Sequence, residues 1–186
     1  MKKLLALVLV MAFALIAGGA VADHTDNILY SWTSPPKTQN PHMYTSTTSS
    51  TRLPHLGTFV RQMVSKDGTH LEFVPEHAAE LPTSEDGGLT WIVKLREGLK
   101  WTDGTPIDAY TYEYSIKMQI DPKLANTGAT YVFDPVVVKN AKEYFQGKVT
   151  DWSEVGVKVL DQYTLEFDLE YPCTDIDFYT TICQYI

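Results

Sequence analysis

Residues 89–110 read LTWIVKLREGLKWTDGTPIDAY, and this stretch decides the fold. Leu89, Trp91, Val93 and Leu95 fall on one side of a period-two pattern. Thr90, Lys94 and Arg96 fall on the other, with Ile92 the one apolar exception, and such alternation predicts a half-buried strand. Glu97-Gly98 breaks it, Leu99 and Trp101 resume it as a short second strand, and Thr102-Asp103-Gly104-Thr105-Pro106 makes a polar turn. Asp108 then stands as the N-cap of a helix. No side chain here has the character of a nucleophile or a metal ligand. The stretch reads as scaffold.

Outward from it, the amino end is an export signal. Lys2 and Lys3 precede an apolar run from Leu4 to Ala17, and Ala20-Val21-Ala22 offers a cleavage site before Asp23. The run is short of the roughly 20 residues a membrane span needs. Gly19 stands where a lipoprotein signal would carry its cysteine, so the expected location is periplasmic and unanchored. The net charge of −8 becomes −10 once Lys2 and Lys3 leave with the signal. An acidic chain is a poor partner for nucleic acid, because neutralising phosphates requires clustered Lys and Arg. The two cysteines, Cys173 and Cys183, do not make a disulfide framework. If residues 175–184 are helical, ten residues separate the sulfurs by about 15 Å, and only an irregular segment would allow a bond. The chain stops inside an apolar run, ICQYI, and reads as the N-terminal part of something longer.

NILYSW at Asn27–Trp32 is a short strand, followed by a proline-rich segment that excludes helix and central strand. The spacing of Leu53, Leu56, Phe59, Val60 and Met63 predicts a helix beginning after Pro54 and Gly57. Ser65-Lys66-Asp67-Gly68 is a turn, and Leu71–Pro75 a strand. Glu85-Asp86-Gly87-Gly88 turns into the opening stretch. Ala109, Tyr112, Ile116 and Ile120 sit at helical spacing. Asp134 caps a second helix with Pro135 at its first position, carrying Val137, Val138, Ala141, Tyr144 and Phe145 on its apolar face and ending at Gly147. Residues 155–160 and 163–169 read as a hairpin about Asp161-Gln162, with Tyr163, Leu165, Phe167 and Leu169 inward. The fold class is α+β (mixed α/β) with a mostly antiparallel sheet.

Several of these pieces, in this order, resemble the extracytoplasmic solute-binding proteins of the peptide/nickel ABC importer family. They are ILYSWTSPPKTQNPH at 28–42, FVPEHAAE at 73–80, EDGGLTWIVKLREGLKWTDGTPIDA at 85–109, EYSIKMQIDPKLA at 113–125 and GKVTDWSEVGVKVLDQYTLEFDLEYP at 147–172. Each is weak alone; the collinear series is strong. The resemblance implies a clamshell that closes two lobes over a ligand. It assigns residues 1–22 to the signal, 23–55 to the start of the first lobe, 56–172 to an inserted small subdomain and 173–186 to the return towards the first lobe. It implies capture of oligopeptides or dipeptides outside the cytoplasmic membrane and delivery to a membrane permease, by a monomer without a cofactor. A nickel chelate or an oligosaccharide is the alternative cargo within the family, and a secreted hydrolase or an adhesive surface protein the alternative outside it. One departure bears on cargo: after Asn40-Pro41-His42, where relatives often carry an acidic or apolar stretch, this chain has Tyr44-Thr45-Ser46-Thr47-Thr48.

Candidate chemistry is sparse. Glu166 and Asp168 share the solvent side of the hairpin and suit solubility and edge protection better than acid–base work. His24, His42, His55, His70 and His77 show no metal-ligand spacing. Ser34, Ser46 and Ser115 lack a G-x-S-x-G context. Trp32, Trp91, Trp101, Tyr112 and Tyr163 fit packing better than a sugar-stacking platform. Two groups are left as cleft residues. Tyr44, Thr45, Ser46 and Thr47 offer backbone groups that pair with an extended peptide as an added strand would. Tyr114, by its place in the EYS motif, presents a hydroxyl.

Overall fold

A computed structural model of the chain describes residues 57–185. The expected export signal, the strand expected at Asn27–Trp32, and Tyr44–Thr47 lie outside the described residues.

The first element corrects the sequence reading. Val60–Val64 is a strand, β1, and not a helix. It pairs antiparallel with β2 (Leu71–Pro75) in the register Val60↔Pro75, Gln62↔Phe73 and Val64↔Leu71. The reason is local. Asp67 accepts hydrogen bonds from Ser65 Oγ, Thr69 N and Thr69 Oγ1, which knits the turn and brings β1 back onto β2. The 3.6-residue spacing was borne partly by Leu53 and Leu56, ahead of this hairpin.

The opening stretch supplies β3 (Thr90–Lys94), which joins β4 (Val157–Asp161) and β5 (Thr164–Asp168) in an antiparallel sheet of order β3-β5-β4. Trp91, Val93 and Leu95 are buried as the alternation requires. Leu89, expected on the same side, is exposed because it precedes the strand at the tight turn. Trp101 is also exposed, on the turn bridged by Lys100 and Pro106, and does not join the core. The hairpin of β4 and β5 forms as expected, with Leu165, Phe167 and Leu169 buried and Tyr163 half-buried.

Helix α1 (Ala109–Gln119) starts where Asp108 predicts. The Asp108 carboxylate accepts Thr111 N, and the Thr111 hydroxyl accepts Asp108 N, a reciprocal cap. Ala109, Tyr112, Ile116 and Ile120 are buried. The second expected helix does not run from Pro135. A 3₁₀ turn occupies Thr127–Val132, and only Ala141–Phe145 is helical, as α2. Residues 137–139 are otherwise engaged: Lys139 N donates to Asp168 O and Glu170 N to Val137 O, which ties this segment to the end of β5. Gly147, at φ +71°, follows the end of α2.

The last element, α3 (Asp175–Tyr185), packs into the same core. Its start is capped by Thr174 and Asp177, which exchange hydrogen bonds, and Asp175 and Asp177 in its first turn suit the positive end of the helix. Phe178 stacks on Trp91 with ring centroids 4.4 Å apart and an interplanar angle of 8°, and meets Phe167 edge-on at 5.8 Å. Tyr179 Oη donates to Pro82 O at 2.8 Å. At the far end Phe59 N donates to Cys183 O at 3.1 Å, so the two ends of the described unit lie side by side.

Candidate functional site

Of the residues the sequence singled out for binding, Tyr114 is the one the structure describes. It lies on the outward face of α1, 63% exposed, with Tyr110 one turn earlier at 57%. Glu113 and Lys117 belong to the same helical stripe, three and seven residues after Tyr110. Trp152 lies alongside them. Its Nε1 donates to Glu113 Oε1 at 2.9 Å, Lys117 Nζ sits 5.5 Å from its ring centroid, and Tyr144 meets it edge-on at 5.4 Å. The face offers aromatic surface and phenolic hydroxyls for stacking and hydrogen bonding. It has no pair of groups poised for proton transfer.

The outer face of the three-stranded sheet carries the paired carboxylates. Lys158 Nζ lies 2.8 Å from Glu166 and 2.6 Å from Asp168, and hydrogen bonds to Asp168 and then Glu166 push its ammonium up to about 12. The carboxylates are therefore committed to a cation, which agrees with an electrostatic role. Beside them is a shallow depression of about 440 Å³ lined by Thr83, Glu85, Asp86, Thr90, Ile92 and Lys94. Asp86 accepts from the N–H groups of Thr90 and Leu89 and from the Ser84 hydroxyl. These bonds, Thr90's first, hold its carboxyl at about 2. A carboxylate so bonded closes the turn before β3 and has no basicity to spare near neutral pH.

A polar pair that the sequence reading missed lies at the root of the first hairpin. His77 Nδ1 is 2.5 Å from Tyr112 Oη, with the rings edge-on at 6.2 Å. Tyr112 is buried in α1, where its spacing marked it only as core, and Phe59 packs on it at 4.2 Å. Gly57 lies against the other side of the imidazole, so close that a Cβ there would fall 2.0 Å from His77 Nε2. Thr58 N and Oγ1 donate to Glu76 Oε2, Arg61 pairs with Glu76, and His77 N donates to Thr58 O. Burial first, then the Arg61 and Arg96 charges, lower the proton affinity of His77, while Glu76 opposes them. Burial raises the Tyr112 hydroxyl well above its usual range. Nothing in the sequence pattern joins the two, since the partners are 35 residues apart.

Among the described residues no group of three or more His, Cys, Asp or Glu side chains is placed to hold a metal ion. Cys173 and Cys183 are free thiols, the first half-buried and the second buried. Among the same residues no helix is long and apolar enough to cross a membrane.

Comparison with known proteins gives this geometry a context. The sequence model of the bacterial extracellular solute-binding proteins, family 5 Middle, matches residues 72–186. The chain is 37% identical over 97 residues to the probable deoxycholate-binding periplasmic protein YgiS of Escherichia coli, covering 52% of this chain and 17% of that one. It is 37% identical over 84 residues to the periplasmic oligopeptide-binding protein OppA of the same organism, covering 44% of this chain and 15% of that one. Among solved structures, the pheromone receptor PrgZ, studied for its mode of peptide binding, superposes with a TM-score of 0.66 at 26% identity. That superposition covers 82% of this chain and 28% of the receptor. The matched segments thus span less than a fifth of the two curated relatives.

Proposed function

We propose that this chain, which belongs to the bacterial extracellular solute-binding proteins of family 5, is part of the binding component of an ABC importer that captures oligopeptides or dipeptides and delivers them to a membrane permease. The observation that carries the reading is the match across residues 72–186 together with a fold shared with a peptide-binding receptor. Two further solved relatives are described, one as a periplasmic oligopeptide-binding protein and one as bound to peptide. In this reading the component acts outside the cytoplasmic membrane as a monomer, reached through a cleaved signal at 1–22. It needs no cofactor, binds no nucleic acid and catalyses nothing. Lobe closure around the ligand would exclude water and strengthen hydrogen bonds to the peptide main chain.

Within such a protein, residues 23–55 begin the first lobe, 56–172 form the inserted small subdomain and 173–186 return. The hydrogen bond from Phe59 N to Cys183 O, which sets the start of that subdomain beside the returning segment, supports an insertion. The return then runs through α3, whose Phe178 is stacked on Trp91. Tyr44–Thr47 and Tyr114 are the proposed ligand-facing groups. For Tyr114 the support is its exposed ring beside Tyr110.

A second cargo has a specific observation behind it: the relative YgiS is described as a probable deoxycholate-binding protein. An amphipathic steroid would use the same aromatic surface that a peptide side chain would. Thermal unfolding and calorimetry of the protein with short peptides and with deoxycholate separate the two. A ligand at a hundred times its Kd stabilises by about 2.7 kcal/mol, and the ligand should be recovered unchanged. Saturable binding of deoxycholate but of no peptide would replace the peptide reading, and release of a cleaved product would overturn both.

A further inference from the structure

We propose that Gly57, His77 and Tyr112 form a pH-sensitive latch that fastens the segment entering this unit to its core and loosens on acidification. The observation is a histidine used as a structural pin between three parts of the chain. One ring face-edge meets the Tyr112 hydroxyl at 2.5 Å, and the opposite nitrogen lies against Gly57, with room for no side chain there. The backbone is pinned as well: His77 N donates to Thr58 O, and Arg96 N donates to His77 O. Segment 57–59, the crossing at 76–79 and helix α1 are therefore joined through one side chain.

The chemistry of the joint depends on its proton. Tyr112 is buried and its hydroxyl resists ionisation, so the hydroxyl keeps its hydrogen. In the neutral imidazole, Nδ1 accepts that hydrogen and Nε2 carries the ring proton. If Nδ1 takes up a proton, both partners become donors across the same short contact. The tyrosine hydrogen must then turn away from the one hydrogen-bond partner the hydroxyl has among the described residues. A buried donor left unpaired costs about 1–3 kcal/mol. The charged groups that face the imidazole do not rescue it. Glu76 favours the cation, but its carboxylate already holds Thr58 N, Thr58 Oγ1 and Arg61, while Arg61 and Arg96 oppose the cation.

The sign follows directly. The proton affinity of His77 in the folded chain is lowered from the unfolded value of 6.5. The unfolded chain therefore binds the proton first as pH falls. The stabilisation is complete above about pH 6.5, falls as pH drops from there towards the lower folded value, and is level below it. What loosens first is the segment the latch holds: Gly57 to Phe59, including the Phe59 N bond to Cys183 O at the outgoing end. This consequence is independent of which cargo the protein carries.

The test uses the whole chain and three readouts. The midpoint of thermal unfolding is compared at about pH 7.5 and about pH 5.2, a window that spans histidine titration and stays above most carboxylates. His77→Gln keeps an acceptor for the Tyr112 hydroxyl and cannot titrate, so its midpoint should fall measurably less than that of the unchanged protein. Tyr112→Phe keeps the ring and removes the hydroxyl. It should lower the midpoint at the higher pH, and it should move the His77 imidazole resonance, followed by NMR, to a higher titration point. In the unchanged protein that resonance should titrate below the value of a free histidine, with hydrogen exchange of the Phe59 and His77 amides accelerating over the same range. The proposal is overturned if the unchanged protein and His77→Gln lose equal stability on acidification. It is equally overturned if the His77 resonance titrates at or above the free value. Should His77→Gln fail to fold, the NMR titration and Tyr112→Phe still decide it.

Discussion

Replacing Phe178 tests whether α3 is a structural member of this unit or merely passes beside it. Phe178 is fully buried, stacked on Trp91 at 4.4 Å and edge-on to Phe167 at 5.8 Å. Truncating a buried phenylalanine to alanine costs about 3–5 kcal/mol, a large part of the 5–15 kcal/mol that holds a typical domain. Phe178→Leu is the better probe because it keeps most of the volume and removes the ring. Two ring pairs at about 0.5–1.5 kcal/mol each give an expected loss of about 1–3 kcal/mol. Urea unfolding read by far-ultraviolet circular dichroism and by tryptophan fluorescence should show the midpoint falling in both signals together, at unchanged slope. Ile176→Ala, on the same helix but 63% exposed, is the control and should stay within about 0.5 kcal/mol. If Phe178→Leu leaves the sheet transition as unmoved as the control does, α3 folds with some other body and the shared core described above is wrong.

Other substitutions address separate features. Lys158→Ala should cost at most about 1 kcal/mol, since the pair is half-exposed and screened, and the difference from the unchanged protein should shrink in high salt. The Lys158 ammonium titrates higher folded than unfolded, so its contribution is full below about 10.5 and is lost as pH rises towards about 12; a constant contribution across that window would refute the ion triad. Gly88→Ala should destabilise far more than Gly147→Ala. Both sit at positive φ, but a Cβ at Gly88 would fall 2.1 Å from Cys173 O, whereas one at Gly147 meets nothing within 4 Å. Gly147→Ala then carries only the conformational cost of about 1–2 kcal/mol, and equal melting temperatures for the two variants would contradict the close approach. Thiol labelling should find Cys173 slow in the native protein, its thiol pushed up to about 11 chiefly by burial, and Cys183 reactive only on unfolding; rapid native labelling of both would exclude that packing.

What the sequence disclosed depended on how local the cause was. β3 was legible because its pattern is its own: Trp91, Val93 and Leu95 are buried by the pleat alone. The cap of α1 was legible for the same reason, since Asp108 and Thr111 are three residues apart. The β4–β5 hairpin followed from alternation around Asp161-Gln162. The errors fell where a distant partner decides. Residues 60–64 have a spacing compatible with a helix, and it is pairing with residues 71–75 that makes them a strand. Val137–Lys139 looked helical after Asp134-Pro135, and bonds to Asp168 and Glu170, some thirty residues on, hold them out of a helix. His77 and Tyr112 were invisible as a pair for the same reason. The proposed site was the least legible of all. Tyr114 could be named from the resemblance, but Trp152 and Tyr144 meet Glu113 and Lys117 of the same helix only through the packing of α1 beside residues 141–154.

This division also explains why a stretch can identify a family and stay silent on cargo. The inward side chains of residues 89–112 are fixed by what they meet. Trp91 must fit under Phe178, and Tyr112 must reach both Phe59 and His77. Changing one of them leaves a cavity or an unpaired polar group, each worth more than about 1 kcal/mol. Tyr110 and Tyr114 point outward from the same helix and are held by no such constraint. Their replacement by other side chains should leave the fold within about 0.5 kcal/mol. A position whose identity the fold does not require is free to be chosen for what it binds. Tyr110→Ala and Tyr114→Ala should therefore melt with the unchanged protein while weakening ligand binding by the protein that carries them. If they unfold it instead, these rings belong to the scaffold, and the binding face must be sought elsewhere.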